Sequence, residues 1–433
     1  MKIAFHGAAR TVTGSKHLIT LTNGKKILLD CGMFQGLGEE TDGLNGEFGF
    51  DPKEVTYMIL SHAHIDHCGL IPKLVKDGYS GNIYCTPATL DLARVLLLDS
   101  AEIQESDAKY MNKKNAASGK PDIQPLYTRE DAKRVFPLFK KVDYNTPFRI
   151  DDDIEFVLTD AGHIIGAAAV SLKIREGGKE TRITFSGDVG RYRDEILKSP
   201  QPFPPADYVL IESTYGNSLH EDIQPSGAAL LQHITDTCVQ KKGKLIIPAF
   251  SVGRTQEILY DLNKLQLDGK LPAVEVFVDS PLSIEATGVV KSHPECFNKT
   301  VQKLLETDDD PFAFPGLKYI QTVDESKALN FRKGPMVIIS ASGMADAGRV
   351  KHHIANNISD SRNTILIVGY CEPNSLGGRL MNGAKEVTIF RERYEVKAGV
   401  GVIRSMSAHG DYNDLSQFLA CQNPRDIKKL FIV

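Results

Sequence analysis

Ser61-His62-Ala63-His64-Ile65-Asp66-His67 follows directly on the apolar run Tyr57-Met58-Ile59-Leu60. Three of the chain's 12 histidines and one aspartate crowd into residues 62–67, at what reads as the end of a strand. Such a segment has little to pack against, and imidazole and carboxylate are the donors that suit zinc. In a strand-to-loop turn His62 and His64 point to one side, while Asp66 and His67 project from the next turn. That arrangement allows two adjacent metal sites fed from one loop. The bland alternative is a solvated loop with chance histidines, and the clustering argues against it.

One loop cannot fill two coordination spheres, so further ligands are expected at other strand ends. Asp160-Ala161-Gly162-His163 follows the apolar run 154–159, and Phe185-Ser186-Gly187-Asp188 ends another such run. Glycine gives the backbone freedom to turn there. Taken singly, each reads as an ordinary turn; beside the 62–67 cluster they form a coherent donor set. A carboxylate at Asp188 would bridge two cations and reduce their repulsion.

Around these motifs the first half of the chain is rich in short strand-like runs, at 25–30, 57–62, 82–87, 154–160, 168–174 and 181–188. Pro87 to Met111 reads as a helix, with apolar residues at Leu90, Ala93, Leu97 and Ile103, and the polar stretch 112–122 as a surface loop. From Asp207 onward near-continuous apolar strands alternate with amphipathic helices, the pattern of a parallel sheet covered on both faces. The expected organisation is a β-rich domain over 1–213, an inserted α/β domain over 214–394, and a return segment over 395–433.

Asp30, the 62–67 motif, His163 and Asp188 stand where the metallo-β-lactamase superfamily has its early motifs, and the chain resembles that superfamily. The resemblance implies an αββα sandwich. It also implies that His62, His64, His163 and Asp188 hold one zinc, and Asp66, His67 and Asp188 a second. Asp30 would orient the ligand loop from behind. Superfamily membership alone leaves the substrate open among lactams, thioesters and phosphodiesters.

Two more segments resemble the β-CASP branch, the nucleases of this fold. Leu210-Ile211-Glu212-Ser213-Thr214-Tyr215 is similar to its motif A, with Glu212 as the acid, and Ser405-Met406-Ser407-Ala408-His409-Gly410-Asp411-Tyr412 to its motif B. The long separation between them matches an inserted, doubly wound parallel-sheet β-CASP domain. The implied activity is a zinc-dependent endoribonuclease cutting single-stranded RNA and leaving 5′-phosphate and 3′-hydroxyl ends. Two zinc ions would acidify the attacking water. Asp66, Glu212 and His409 are the implied catalytic residues, with His409 protonating the departing oxygen. Alternatives are a 5′-to-3′ exonuclease, a DNA nuclease of the same branch, a small-molecule hydrolase, or an inactive RNA-binding scaffold. The intact donor set disfavours the scaffold.

The resemblance further implies a motif C ligand, usually His, just beyond a strand after motif B. Residues 427–433 read as that strand, so the chain is expected to stop short of this ligand, leaving the second zinc more weakly held. Three loops of the insertion, at 250–254, 340–344 and 374–379, are expected at the carboxyl ends of parallel strands, where open α/β sheets bind ligands. Ser251, Arg254, Ser342, Gly343, Arg379 and Ser407 are the candidate phosphate-binding residues.

Composition bounds the rest. Lys plus Arg is 51 against 55 for Asp plus Glu, a net charge of -4, which excludes a binder that works through overall basicity. Any polyanion must be met by local positive charge. The seven cysteines are scattered without a C-x-x-C pair, as in a reduced cytoplasmic protein. The N-terminus lacks an apolar h-region, and no apolar run is long enough to span a membrane. The expected partner is single-stranded RNA, with no membrane, and a homodimer is left open.

Overall fold

The apolar runs of the first half form two six-stranded sheets in the computed structural model, which describes residues 1–36, 40–220 and 226–433. In the first sheet Lys2–Phe5, His17–Thr20 and Lys26–Leu29 run antiparallel, and Tyr57–Ile59, Ile83–Cys85 and Phe139–Lys141 add on in parallel. In the second, Phe148–Arg149, Ile154–Asp160, Ala168–Glu176 and Lys179–Phe185 form an antiparallel meander. Tyr208–Ile211 and then Lys429–Ile432 extend it in parallel.

Side chains of both sheets meet in one core. Ile27, Leu29 and Ile59 of the first sheet cluster with Phe156, Leu172 and Phe185 of the second. The outer face of the second sheet is covered by helix Tyr412–Leu419, whose Leu415 and Phe418 pack with Val209 and Ile211. Helices Pro87–Ser118 and Arg129–Val135 supply the opposite layer through Ala101 and Ala132, packed with Tyr127. This is the expected αββα sandwich. These elements make one compact unit, Met1–Ser218 with His409–Val433.

The second unit, Leu219–Ala408, is built on a six-stranded sheet. Its order is Leu317–Tyr319, Glu275–Val278, Met336–Ser340, Lys244–Pro248, Thr364–Val368, Gly399–Ile403, and every pairing is parallel. All residues of Met336–Ser340 and Thr364–Val368 are buried, so both faces are covered, as the continuous apolar runs imply. No helix among the described residues is long and apolar enough to cross a membrane.

Two details differ from the sequence reading. The run at 399–403 is not a return strand of the first unit, because Gly399–Ile403 pairs with Thr364–Val368 in the inserted sheet. The units accordingly divide at Ser218/Leu219 and Ala408/His409. The stretch taken as a loop from 112 is helical to Ser118. Its Lys, Asn and Ala residues carry no apolar period, yet lysine and alanine are good helix formers. The helix stops at Gly119, whose φ of 67° suits a left-handed C-cap.

Within the second unit a buried carboxylate ties the carboxyl edge of the sheet together. Asp279, fully buried, accepts from Arg349 Nη1 at 2.7 Å, His353 Nε2 at 2.6 Å and Ser326 Oγ at 2.5 Å. Burial works to raise its pKa, but those partners outweigh it and hold the carboxyl below its usual value. A depressed folded-state pKa gives stability that is present above the ordinary carboxylate range and lost as pH falls through the folded value. Asp279→Asn is expected to cost about 3–5 kcal/mol at neutral pH. Denaturant melts from pH 7 downward should show the variant losing stability less steeply on acidification than the parent chain.

Candidate metal centre

Strand Tyr57–Ile59 ends where Asp30 can hold the next residues. Asp30 sits at φ 59°, fully buried, and its Oδ1 accepts the Ser61 backbone N–H at 2.7 Å. Its Oδ2 accepts from Ser61 Oγ at 2.8 Å and Ser15 Oγ at 3.3 Å, and lies 2.7 Å from His67 Nδ1. That last contact places the proton on Nδ1 and turns Nε2 of His67 inward. Helix Ile65–Cys68 then begins at His64, and Ser15 N–H donates to the Asp66 carbonyl at 2.8 Å. A Cβ on Gly32 would fall 1.5 Å from the same carbonyl oxygen, so only glycine fits there.

The second sheet brings its donors to the same edge. Gly162 (φ 67°) turns the chain after Ile154–Asp160, and Gly187 (φ 56°) after Lys179–Phe185. Ligand atoms of His62, His64, His163 and Asp188 all lie within 4.8 Å of one another. His64 Nδ1 and His163 Nε2 are 3.1 Å apart, and Asp188 Oδ2 lies 3.5 Å from Nε2 of both His62 and His163. His62 Nε2 is buried without a hydrogen-bond partner. A buried lone pair of this kind is costly unless something accepts it, and three imidazoles with a carboxylate are a set that fits a divalent cation.

Electrostatics agree with that donor state. Burial, reinforced by neighbouring imidazoles, holds His64 and His163 well below the usual histidine range, which favours their neutral, metal-ligating form. Burial would raise Asp188, but His67 and His62 hold it well below the carboxylate range. Its other oxygen, Oδ1, lies 3.2 Å from His67 Nε2, so the two oxygens face two groups of imidazoles. Asp66 stands in the field of His67, Asp188 and His62, and burial raises its pKa. It belongs to neither cluster of potential ligands among the described residues, the second being Asp188, Glu212 and His409.

Glu212, at the end of Tyr208–Ile211, accepts from the Val189 N–H and lies 3.0 Å from His409 Nδ1. With Nδ1–H given to Glu212, Nε2 of His409 faces Asp188 Oδ2 at 3.9 Å. Burial lowers the His409 pKa, but Glu212, assisted by Asp188 and Asp66, outweighs it and pushes the value up to about 9. The loop that carries His409 is pinned by Gly410 N–H to Val189 O at 2.7 Å.

The six candidate phosphate-binding residues lie in the other unit, Leu219–Ala408. Their loops adjoin at the carboxyl edge of the sheet, with Gly343 against the Phe250 ring and Cys371 Sγ 3.5 Å from Gly343 O. Ser251 is buried beside Ser283 Oγ at 3.1 Å, and Arg254 is buried in an ion pair with Glu257. Ser407 is buried and Ser342 half-buried, while Arg379 Nε is buried without a partner.

Sequence reasoning passed over Ser15 and Lys16. The buried Lys16 ammonium donates to Gly14 O at 2.9 Å and Gly32 O at 2.8 Å and lies 4.2 Å from the Phe34 ring centre. Burial lowers its pKa to about 8. It clasps the two loops that brace the Asp66 backbone. Only the polar run 13–17 between apolar stretches hinted at it.

Asp30→Asn keeps an acceptor for Ser61 but sets an amide N–H against a donor of Ser61 or His67. Metal affinity is expected to fall about 10–100-fold. Titration with a chromophoric competing chelator measures it.

The comparisons with known proteins agree with this geometry. The family model of the metallo-beta-lactamase superfamily matches residues 13–249, and that of the Beta-Casp domain residues 255–380. A protein of Thermus thermophilus named Ribonuclease TTHA0252 is 34% identical over 97% of this chain and 90% of its own length. An RNase J-like protein of Methanocaldococcus jannaschii is 32% identical over 96% of this chain and 89% of its own. The transcription termination factor FttA of Cenarchaeum symbiosum is 29% identical over 95% of this chain, which spans 63% of that longer protein. With its sandwich, its inserted parallel sheet and its cluster of donors accounted for, the chain belongs to the metallo-beta-lactamase superfamily, in the branch that carries a Beta-Casp domain.

Proposed function

We infer that the chain is a zinc-dependent ribonuclease that hydrolyses phosphodiester bonds of single-stranded RNA internally, leaving 5′-phosphate and 3′-hydroxyl ends. The observation that carries this reading is the Glu212–His409 pair set against the Asp188 carboxylate. A phosphodiester has a poor leaving oxygen that needs a proton, and a protonated imidazole beside the donor cluster is placed to supply one. The relatives named for ribonuclease activity and transcription termination support RNA as the substrate class.

In this reading His62, His64, His163 and Asp188 would hold one divalent cation, and Asp66, His67 and Asp188 would hold a second. The bound metal supplies a water acidified toward neutral pH and charge to offset that on the phosphoryl oxygens. The chain's own groups do the rest. Asp30 fixes His67 through Nδ1, so its Nε2 keeps one direction. Glu212 holds Nδ1–H of His409 and stabilises the imidazolium, which donates its Nε2 proton to the departing 3′ oxygen. After the transfer, Glu212 still fixes the tautomer, ready for reprotonation from solvent. Ser251, Ser342, Gly343, Arg379 and Ser407 are the residues of the inserted unit assigned to phosphates, with Arg254 contributing while paired to Glu257.

His409→Ala is expected to retain bound metal and lose about 10²–10⁴-fold in cleavage rate, whereas Asp66→Ala should lose both metal and rate. Labelled single-stranded RNA and DNA, assayed with added zinc and again after chelation, provide the readout. Unchanged RNA cleavage by both variants would overturn the mechanism. Preference for DNA would move the assignment to a DNA nuclease, and loss of cleavage on blocking the 5′ end would make it an exonuclease.

A further inference from the structure

Helix Pro87–Ser118 begins at the metal centre and runs away from it. Its N-cap Thr86 and Thr89 both donate to Gly166 O at 2.8 Å, in the loop that carries His163. The first half is anchored, with Leu92, Ala93, Leu97 and Ala101 fully buried. Beyond it the apolar residues surface: Ile103, Tyr110 and Met111 are 53%, 58% and 41% exposed. At ~1.5 Å per residue, Lys109 lies ~33 Å and Ser118 ~47 Å along the axis from Pro87.

The charge of this far half is unlike that of the chain. Lys109, Lys113, Lys114 and Lys120 are all exposed, and no acidic residue occurs between Asp107 and Asp122. Ion pairs of the adjoining elements, Arg129–Glu102 and Lys133–Glu130, leave these four lysines out. Lys109 and Lys113 stand four apart, a spacing at which like charges repel on a helix. Lys114 Nζ lies 4.1 Å from the Tyr110 ring centre, which sets an aromatic ring among the cations. An open groove of about 620 Å³ runs alongside, with Lys109 and Lys113 on the helix and Ile123 and Pro125 opposite, and with Glu105 and Asp122 also on its lining. Its far wall is tied to the helix by Asn112, which exchanges hydrogen bonds with the Ile123 backbone at 2.8 and 3.0 Å.

We propose that Lys109, Lys113, Lys114, Lys120 and Tyr110 form a second contact for single-stranded RNA, remote from the bond that is cut. The proposal rests on the ribonuclease reading above and extends it to substrate length. Local positive charge meets the phosphates, and an exposed ring offers a stacking platform for a base, the combination that grips single strands without reading sequence. Against a net charge of -4 for the whole chain, this segment is locally basic. Short substrates reach only the metal centre, while long ones also engage the helix.

The test compares the whole chain with the variant Lys109→Ala/Lys113→Ala/Lys114→Ala/Lys120→Ala, and separately with Tyr110→Ala, on five- and thirty-nucleotide single-stranded RNAs. Fluorescence anisotropy over a salt series reads binding, and initial rates with zinc read cleavage. For the quadruple variant we expect roughly tenfold weaker binding of the long RNA and a log K versus log salt slope shallower by about 2–3, as four released phosphate contacts imply. KM for the long RNA should rise with kcat unchanged, and cleavage of the short RNA should not change. Tyr110→Ala should weaken long-RNA binding with little change in slope. Equal long-RNA affinity and slope in parent and variant would overturn the proposal. So would a variant whose only change is in self-association by sedimentation, or in binding to vesicles containing phosphatidylserine. If the parent cleaves neither RNA while the binding differences hold, the ribonuclease reading fails and the contact surface does not.

Discussion

The Asp188 carboxylate receives contacts from two sides: Oδ2 lies 3.5 Å from Nε2 of His62 and of His163, and Oδ1 lies 3.2 Å from Nε2 of His67. His62 and His67 arrive from the first sheet, and His163 and Asp188 itself from the second. The two layers must therefore end at a common edge with their turns in fixed register. The shared core of Ile27, Leu29, Phe156 and Phe185 sets that register from below. Each turn then needs a close backbone approach: Gly32 against Asp66 O, and Gly190 against Gly162 O, where an added Cβ would lie 1.8 Å away. A methyl group at either point would spread the edge and pull the donors apart.

Much of this is legible in the amino-acid sequence. The 62–67 cluster declares itself because four ligand-type side chains fall within six positions, and His163 and Asp188 are legible as turn residues after apolar runs. Glu212 and His409 are different, since nothing in either residue alone distinguishes a catalytic carboxylate from a capping one. Only the resemblance to a family pairs them across almost two hundred positions. Ser15 and Lys16 escaped because they act through main-chain carbonyls and amides, which leave no residue-type signature. Residues 112–118 escaped because a solvated helix end has no apolar period to read. Gly399–Ile403 was misplaced because strand pairing is a tertiary fact; a run of Gly and Val looks the same in either sheet.

The two units carry their buried charge in different ways. In the first, carboxylates and imidazoles converge on a point where a cation would be shared. In the second, Asp279 is satisfied within the chain by a guanidinium, an imidazole and a hydroxyl. That closed network ties the end of strand Glu275–Val278 to helices Val323–Phe331 and Arg349–Asn357 through groups of the chain alone.

The division of the first unit at Ser218 and His409 has a consequence for the order of assembly. The six residues proposed to hold metal, from His62 to Asp188, are synthesised before the inserted unit begins. His409, the proposed proton donor, follows Asp188 by 221 residues, roughly 10–45 s later at ~5–20 residues per second. Strand Lys429–Ile432, which closes the second sheet on Tyr208–Ile211, comes later still. On the proposed reading, a nascent chain would therefore carry its whole set of metal donors well before the group proposed as its acid, and an unfinished copy would bind metal without cutting RNA.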